Sequence, residues 1–217
     1  LQSGFSTNDD IVLNYLLRHA NDEQKRRWLP GFVTGETIGA IAMTEPGAGS
    51  DLRGITATAV RDGDHWILNG SKTFITSGIL ADLVIVFAKT DPAAGSRGFS
   101  LFVVEEGMPG FTRGRKLDKV GLHAQDTAEL FFEDVRVPQE NLLGEEGAGF
   151  AYLMQSLPLE RLGIAIAAQT SAEAVMGWTL DYVKERTAFG KKIGEFQGLG
   201  FTLAELQTAV EVSRAYI

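Results

Sequence analysis

The chain has 217 residues, of which 44% are hydrophobic and 22% charged, enough to bury a core in one large or two small domains. It contains no cysteine, which excludes disulfides, thiolate metal sites and cysteine nucleophiles. A net charge of -8 argues against a general nucleic-acid binder, and no apolar stretch approaches the roughly 20 residues of a membrane span, so we expect a soluble intracellular protein.

Two helices are predicted at the start of the chain. Residues 7–20 have apolar side chains at helical spacing, with Thr7 or Asn8 as the cap. The expected buried stripe consists of Ile11, Val12, Tyr15, Leu16 and His19. A second helix is predicted to begin at Asn21, because Asn21 and Gln24 have the spacing of a capping box. Pro30 and Gly31 are expected to end it.

From residue 37 the pattern changes to short runs rich in β-branched and aromatic residues, separated by turns. The predicted strands are 38–43, 55–60, 66–76, 83–89, 99–105, 111–116 and 129–135. Asp62 and Gly63 predict a hairpin turn between the second and third of these strands. Seven strands without intervening helices favour an antiparallel barrel or sandwich over a parallel βαβ sheet.

The helical period returns after residue 149 and predicts helices over 150–186 and from 195 to the end. The order of helices, strands and helices indicates an α+β fold. We place an N-terminal helical segment at 1–36, a middle β-domain at 37–146 and C-terminal helices at 147–217. The glycine-rich stretch at 144–149 is the best-marked boundary.

The most informative segment is the loop at 42–54, Ala-Met-Thr-Glu-Pro-Gly-Ala-Gly-Ser-Asp-Leu-Arg-Gly, which follows a short uncharged strand. Its amides and the Ser50 hydroxyl suit a phosphate or another anion, because glycine lets the backbone approach a ligand closely. The loop lacks the Gly-Lys-Ser/Thr of a Walker loop and the Gly-x-Gly-x-x-Gly of a dinucleotide fingerprint. Its glycine spacing alone is also that of a tight turn between two strands.

Helical spacing places the carboxylate of Glu160 on an apolar stripe. The other members of this stripe are Leu153, Leu157, Ile164, Ala167, Ala168 and Val175. An ionised carboxylate that faces a core is costly unless it is paired or functional. Burial would make it a stronger base, whereas a helix start near Pro158 would stabilise its ionised form. The pattern therefore allows a catalytic base, an internal ion pair or a different helix phase.

Three other features are less specific. Alternation in the strand 66–76 puts Phe74 and Thr76 on one face, which fits cross-strand packing or the wall of a ligand site. A basic cluster fits either an anionic cofactor or a solvated hairpin edge, and its members are Arg113, Arg115, Lys116 and Lys119. The three histidines have no ligand spacing, so no metal site is predicted.

The string Thr-Glu-Pro-Gly-Ala-Gly-Ser-Asp at 44–51 resembles the first conserved motif of the acyl-CoA dehydrogenases. Leu-Glu-Arg at 159–161, and Arg-Thr-Ala-Phe-Gly-Lys-Lys-Ile at 186–193 followed by Gln197, resemble two later motifs in family order. The strings at 66–72 and 125–134 are similar to the long-chain branch. The resemblance extends from about residue 8 to the last residue, and it implies that the middle β-domain is followed by the start of a C-terminal helical bundle.

In that family the first motif lies along FAD, so the resemblance implies FAD as the cofactor. It assigns flavin contacts to Ile41, Ala42, Met43, Thr44, Gly49, Ser50, Phe74, Ile75 and Thr76. The hydroxyl at the Thr76 position bonds the reactive flavin nitrogen, and many relatives have tryptophan at the Phe74 position. Arg186, Phe189 and Gln197 match positions that reach the FAD of a neighbouring subunit, which implies a homodimer or homotetramer.

The implied reaction is α,β-desaturation of an acyl-CoA thioester, in which a carboxylate removes the α-proton and the flavin accepts hydride. Glu160 matches the base of long-chain and isovaleryl members. The implied substrate contacts are Ser50, Ser96, Arg97 and Arg161, of which Arg161 equally fits a structural ion pair. Many relatives carry aspartate where this chain has Pro158, so this position offers no side-chain hydrogen bond to substrate.

The resemblance thus implies a long-chain acyl-CoA dehydrogenase that passes electrons to an electron-transfer flavoprotein, in a bacterial cytoplasm or a mitochondrial matrix. An acyl-CoA oxidase and a non-catalytic flavin or acyl-CoA binding fragment are the alternatives. Because the chain begins late in the family's first domain and stops within a helical pattern, we expect a fragment of a longer protein.

Overall fold

The computed structural model describes residues 6–217, which form two compact units. The first unit ends at Ser156 and the second runs from Leu157 to Ile217. The first unit begins with a π-helical segment, Ser6–Val12, that continues directly into helix α1, Leu13–His19, and is followed by α2, Asp22–Thr34. Among the described residues, no helix combines the length and apolarity needed to cross a membrane.

The predicted N-terminal helices are present, and the capping box is confirmed at Asn21 and Gln24. Each residue's side-chain oxygen accepts the other's backbone N–H at 2.9 Å. The prediction that Pro30 and Gly31 end the helix is wrong, because α2 continues for another turn to Thr34. It ends where Gly35 adopts the left-handed conformation and donates its N–H to the carbonyl of Phe32.

Eight strands form one sheet in the first unit. They are β1 (Gly39–Ala42), β2 (Thr58–Asp62), β3 (His65–Thr76), β4 (Leu83–Lys89), β5 (Phe99–Glu105), β6 (Phe111–Lys116), β7 (Thr127–Pro138) and β8 (Leu142–Leu143). Their order is β6-β7-β3-β2-β4-β5-β8, with β1 paired to β4. Most neighbours are antiparallel, whereas β1 and the first residue of β2 pair with β4 in parallel. The predicted α+β fold is confirmed.

The sequence prediction is correct to the residue for β4, β5 and β6, and the hairpin between β2 and β3 turns at Gly63 and Asp64. Strand β2 was predicted three residues too early, because residues 55–57 return from the loop before pairing begins at Thr58. The basic cluster after β5 lies on or near edge strand β6, where Arg113 donates to the carbonyls of Gly78 and Ala81.

The core of the first unit lies on the sheet. Strands β4 and β5 are buried along almost their whole length, as their unbroken apolar runs require. Trp66 of β3 packs edge-on against Phe102 of β5, with ring centroids 5.2 Å apart. Trp66 also donates its indole N–H to Gln139 at 2.9 Å, so its one polar group is satisfied.

Helix α3 (Gly149–Glu185) enters the second unit and leads to a short hairpin, β9 (Thr187–Ala188) and β10 (Lys191–Lys192), and to helix α4 (Gln197–Tyr216). Within this unit, α3 and α4 pack through Met176, Val183 and Leu203. Arg214 of α4 also donates to Glu173 of α3 at 2.6 Å. The predicted helices are therefore present, although the hairpin between them was not predicted.

We expect Phe102→Ala to lower the free energy of unfolding by about 3–5 kcal/mol, because it empties a fully buried site against Trp66. Phe131→Ala on the same sheet removes a ring that is 38% exposed, and should cost much less. Urea unfolding of both variants measures the difference. Equal losses would show that the core does not lie where this fold places it.

Candidate functional site

The loop that follows β1 leaves the sheet where strand β4 changes partners. β1 pairs with β4 up to Ala42 and Val86, and β2 takes over the same strand at Thr58 and Lys89. Residues 43–57, which lie between these two strands, belong to no strand of the sheet, so they project from it as the glycine-rich loop. The loop folds back on itself through two backbone hydrogen bonds between Glu45 and Ala48.

The tip of this loop is open. The backbone at Gly47 and Gly49 would accept a Cβ with no heavy atom within 4 Å. Ser50 is exposed, and its hydroxyl has no hydrogen-bond partner within residues 6–217. This part of the predicted anion cradle is therefore available to a ligand. Next to it, the Asp51 carboxylate accepts the N–H of Arg53 at 3.2 Å and caps the short helical turn that follows.

The base of the loop is closed by a buried carboxylate. Glu45 is 6% exposed and accepts hydrogen bonds from the Thr56 amide at 2.6 Å, the Thr56 hydroxyl at 2.7 Å and the Ala57 amide at 3.0 Å. The Lys72 ammonium on β3 donates to it at 3.0 Å and also donates to the Met43 carbonyl at 3.0 Å. Glu45 is thus a structural anchor of the motif and does not face a ligand.

Burial and pairing act in opposite directions on these two groups. Burial alone would raise the pKa of Glu45, but Lys72 and the bonds from Thr56 and Ala57 hold that pKa below its usual range. Burial lowers the pKa of Lys72 to about 8, although Glu45 opposes the shift. The ammonium also lies 5.9 Å from the centre of the Phe87 ring. Lys72 therefore remains charged at neutral pH.

A β-bulge interrupts β3 directly after Lys72. Two residues lie between Lys72 and Ile75, whereas one lies between their partners Leu130 and Ala128 on β7. The extra residue puts Phe74 in the left-handed region at φ 59°, with 70% of its surface exposed. The alternation of the strand therefore breaks at the bulge, where Lys72 and Thr73 are both buried, Phe74 is exposed and Ile75 is buried.

An exposed aromatic ring in a strained backbone conformation is a feature that clusters at ligand sites. Thr76, two residues on, is half-buried. The chain then turns at Ser77, which also has a positive φ, of 61°. Asp126 fixes this turn, since its carboxylate accepts the Ile79 amide at 2.6 Å and its carbonyl accepts the Ser77 amide. Sequence reasoning missed this role of Asp126.

The structure brings the loop and the bulge together. The Thr73 amide donates to the Thr44 carbonyl at 3.0 Å, and the Thr44 hydroxyl donates to the Thr73 carbonyl. The predicted flavin residues at 41–44 and 74–76 are consequently neighbours on one part of the sheet unit. These neighbours form a candidate site with two walls. One wall is the loop after β1, whose open tip carries Gly49 and Ser50, and the other is the bulged part of β3.

Ser96 and Arg97 lie on the turn between β4 and β5, and both are exposed. The turn follows Lys89, whose amide donates to the Ala57 carbonyl at 2.8 Å. The turn that carries both predicted substrate contacts therefore begins beside the point at which the loop returns to the sheet.

Glu160 is half-buried in the helical unit, and Arg161 is exposed. Helix α3 begins at Gly149, close to the predicted start at 150, so Pro158 lies inside the helix and no helix start lies next to Glu160. Glu160 is three turns from the helix N-terminus, too far for the helix dipole to stabilise its charge. Of its predicted stripe, Leu153 is buried, whereas Ile164 and Val175 are 69% and 55% exposed within the described chain.

The remaining predicted residues surround the β9–β10 hairpin. Phe189 and Gly190 form its two-residue loop, both with positive φ, and the Phe189 ring is 96% exposed. A turn of this type normally takes Asn-Gly, so an aromatic residue at its first position is costly. Arg186 and Gln197 are exposed on either side of the hairpin, the latter at the first position of α4.

Comparison with known proteins identifies the family. Residues 40–135 match the family model of the acyl-CoA dehydrogenase middle domain, and residues 147–217 match that of the acyl-CoA dehydrogenase C-terminal domain. The chain belongs to the acyl-CoA dehydrogenase family. The resemblance stated from the sequence is thereby confirmed.

Among similar members of the acyl-CoA dehydrogenase family, the mitochondrial long-chain specific acyl-CoA dehydrogenase of Sus scrofa is 55% identical over 99% of this chain and 50% of its own length. The mitochondrial isovaleryl-CoA dehydrogenase of Pongo abelii is 45% identical over 98% of this chain and 51% of its own length. The crystal structure of an acyl-CoA dehydrogenase from Geobacillus kaustophilus is 61% identical, with a TM-score of 0.94, over 98% of this chain and 57% of that one. The chain spans about half the length of the curated relatives it matches.

We expect Phe74→Gly to have a free energy of unfolding about 1 kcal/mol higher than Phe74→Ala, because glycine adopts the left-handed conformation without a Cβ penalty. At Phe131, where φ is negative, the order should reverse by about 0.5–1 kcal/mol. Chemical unfolding of the four variants tests this. A less stable glycine variant at both positions would rule out the strained bulge.

The titration of Lys72 should appear in the pH dependence of stability. Its folded-state pKa of about 8 lies below the ordinary 10.5, so the unfolded chain binds more protons between these values. The contribution of Lys72 to the free energy of unfolding is therefore full above pH 10.5 and is lost as the pH falls through about 8. Subtracting the urea-unfolding curve of Lys72→Met isolates this contribution, which must rise with pH across that window. A flat or falling difference contradicts the burial of the ammonium.

Proposed function

We propose that this chain supplies the flavin-holding sheet and the proton-abstracting helix of an FAD-dependent acyl-CoA dehydrogenase. The enzyme would convert a long-chain acyl-CoA to the trans-2-enoyl-CoA and pass electrons to an electron-transfer flavoprotein. The observation that carries the proposal is the two-walled site of the sheet unit, in which Thr44 of the glycine-rich loop is hydrogen-bonded to Thr73, the residue before the strained, exposed Phe74. The 55% identity to a long-chain specific enzyme supports the substrate class.

The residues present fit FAD. Phe74 offers an aromatic face, Thr76 a hydroxyl beside it, and the loop tip offers Ser50 and backbone amides to a phosphate. A solved structure described as an FAD complex of PigA is 35% identical to this chain, with a TM-score of 0.93, which supports the same cofactor here. When bound, FAD supplies a hydride acceptor for the substrate β-hydrogen. The contacts assigned to 41–44, 49–50 and 74–76 remain part of this proposal.

Glu160 is the proposed base. Its carboxylate would take the substrate α-proton, and its half-buried position inside α3, within the Leu-Glu-Arg string at 159–161, supports this role. Arg161, exposed next to it, is proposed to contact the substrate. Ser96 and Arg97, with Ser50, are proposed to contact the acyl-CoA, since an exposed arginine on a turn suits a phosphate group.

The exposed hairpin supports an oligomer. We infer that Arg186, Phe189 and Gln197 contact the FAD of a neighbouring subunit in a homodimer or homotetramer, since the Phe189 ring is almost wholly exposed on its own chain.

The proposal also includes a division of the chain into an N-terminal helical segment at 1–36, a β-domain at 37–146 and a C-terminal bundle from 147. The proposed location is a bacterial cytoplasm or a mitochondrial matrix, which the mitochondrial and bacterial relatives support.

A solved structure in the same comparison supports the proposed electron acceptor. A chain 44% identical to this one belongs to a solved structure described as the electron transferring flavoprotein of Acidaminococcus fermentans, which supports such a protein as the partner. The test is to mix an enzyme carrying this sequence anaerobically with acyl-CoAs of several lengths while the flavin absorption is followed. Bleaching supports dehydrogenation, whereas a spectral shift without bleaching contradicts it and indicates binding only. Reoxidation by air that outpaces reoxidation by an electron-transfer flavoprotein indicates an oxidase.

We expect Glu160→Gln to lower the turnover number by about 10²–10⁴-fold, because amide replaces the general base while size is kept. The flavin spectrum should be unchanged. Glu205→Gln, an exposed position on α4, is the matched control and should keep wild-type turnover. Anaerobic flavin reduction measured by stopped flow separates the chemical step from product release. Wild-type reduction by Glu160→Gln would remove Glu160 from the mechanism.

A further inference from the structure

Two buried side chains connect the walls of the candidate cofactor site. The Lys72 ammonium and the Glu45 carboxylate lie 3.0 Å apart, and their side chains are 0% and 4% exposed. Neither group is accessible to a ligand, so any influence on the site must act through the segments that the two groups hold. Those segments are the loop on one side and the bulged strand on the other.

Glu45 holds both ends of the loop. It is the fourth residue of the 42–54 segment, yet it bonds backbone and side-chain groups eleven and twelve residues later, at Thr56 and Ala57. One carboxylate oxygen accepts both Thr56 bonds, and the other accepts Ala57 and Lys72. The loop tip, with Gly49 and Ser50, therefore projects from a base whose geometry a single carboxylate fixes.

Lys72 holds the strand to the same base. Its ammonium donates to the Met43 carbonyl as well as to Glu45, and the next residue, Thr73, exchanges two hydrogen bonds with Thr44. Phe74 follows at once in its left-handed conformation. Without Lys72, the Met43 carbonyl loses a donor and Glu45 loses its counter-charge beside the bulge.

Stability alone gives little reason for this arrangement. A buried ion pair is often no more stabilising than apolar side chains of the same volume, because both charges must leave water. Here burial lowers the pKa of Lys72 to about 8, so keeping the ammonium charged works against its surroundings. Unlike an apolar contact, the ion pair fixes the direction and the distance between two backbone segments.

We propose that the Lys72–Glu45 ion pair is a positioning element of the FAD site, which sets the loop carrying Thr44 and Ser50 against the bulge carrying Phe74 and Thr76. This inference rests on the proposed function, because it concerns how FAD is held. Lys72 and Glu45 position the groups that touch the cofactor and take no part in the reaction. Loss of the pair allows the two walls to shift relative to each other, which weakens FAD binding and alters the surroundings of the flavin ring.

The test uses Lys72→Met in an enzyme that carries this sequence. Lys72→Arg keeps the charge and donors, and Arg136→Met is the matched control, since it breaks an exposed ion pair with Asp62 on the same sheet. The FAD dissociation constant and the visible circular dichroism of the bound flavin are measured at a fixed interval below each variant's own unfolding midpoint. This choice removes the effect of global stability.

Lys72→Met is expected to raise the FAD dissociation constant at least tenfold and to change the flavin dichroism. Lys72→Arg should bind FAD more tightly than Lys72→Met, and Arg136→Met should match the wild type. A wild-type dissociation constant and spectrum for Lys72→Met would overturn the proposal, as would equal weakening by Arg136→Met.

If Lys72→Met does not fold, Glu45→Gln gives the same test, because it removes the charge while leaving an oxygen to accept the Thr56 bonds. It should also raise the FAD dissociation constant, and an unchanged value would overturn the proposal. An unmodified enzyme that binds no FAD would instead contradict the proposed function. The two failures are therefore distinguishable.

Discussion

The burial of one carboxylate, that of Glu45, constrains how the glycine-rich loop and the bulged strand of the first unit are held together. A buried Glu45 must satisfy its oxygens inside the protein, and it does so with two backbone amides, a hydroxyl and an ammonium. The donors come from two different segments, the return of the loop at Thr56 and Ala57 and the strand that precedes the bulge at Lys72, so the carboxylate ties the loop to the sheet. The openness of the loop tip and the strain at Phe74 are both possible because the base beneath them is fixed.

The topology of the sheet determines where the loop leaves it. Strand β4 changes its partner from β1 to β2 along a single edge, and a chain segment must leave the sheet at such a change. Residues that a ligand can reach therefore lie next to a rigid, buried strand. The helical unit differs from the sheet unit in how it buries apolar side chains. Its two long helices share only a small core, and several large apolar or aromatic side chains are exposed, including those of Trp178 and Phe201.

Sequence patterns correctly predicted the elements with strong periodicity, and they failed where tertiary contacts determine the local backbone structure. The continuous apolar runs of β4 and β5 and the capping box at Asn21 were correct, because each depends on local residues alone. The helix end was placed too early at Pro30, since one missing N–H does not prevent a further turn before Gly35. The bulge at Phe74 could not be predicted, because it appears only when β3 is aligned with β7. Lys72 did leave a signal: it shares a strand face with Trp66 and Leu68, where alternation predicts an apolar side chain.

The burial of Lys72 has a chemical consequence for an enzyme of this family. An amine whose pKa lies near 8 is a stronger nucleophile at neutral pH than an ordinary lysine, because more of it is unprotonated. Thioesters acylate such amines, and an acyl-CoA is a thioester. Complete enclosure, together with a hydrogen bond to Glu45 and another to Met43, keeps the nitrogen from meeting an electrophile. The fold thus keeps the Lys72 nitrogen out of reach of acylation by a thioester.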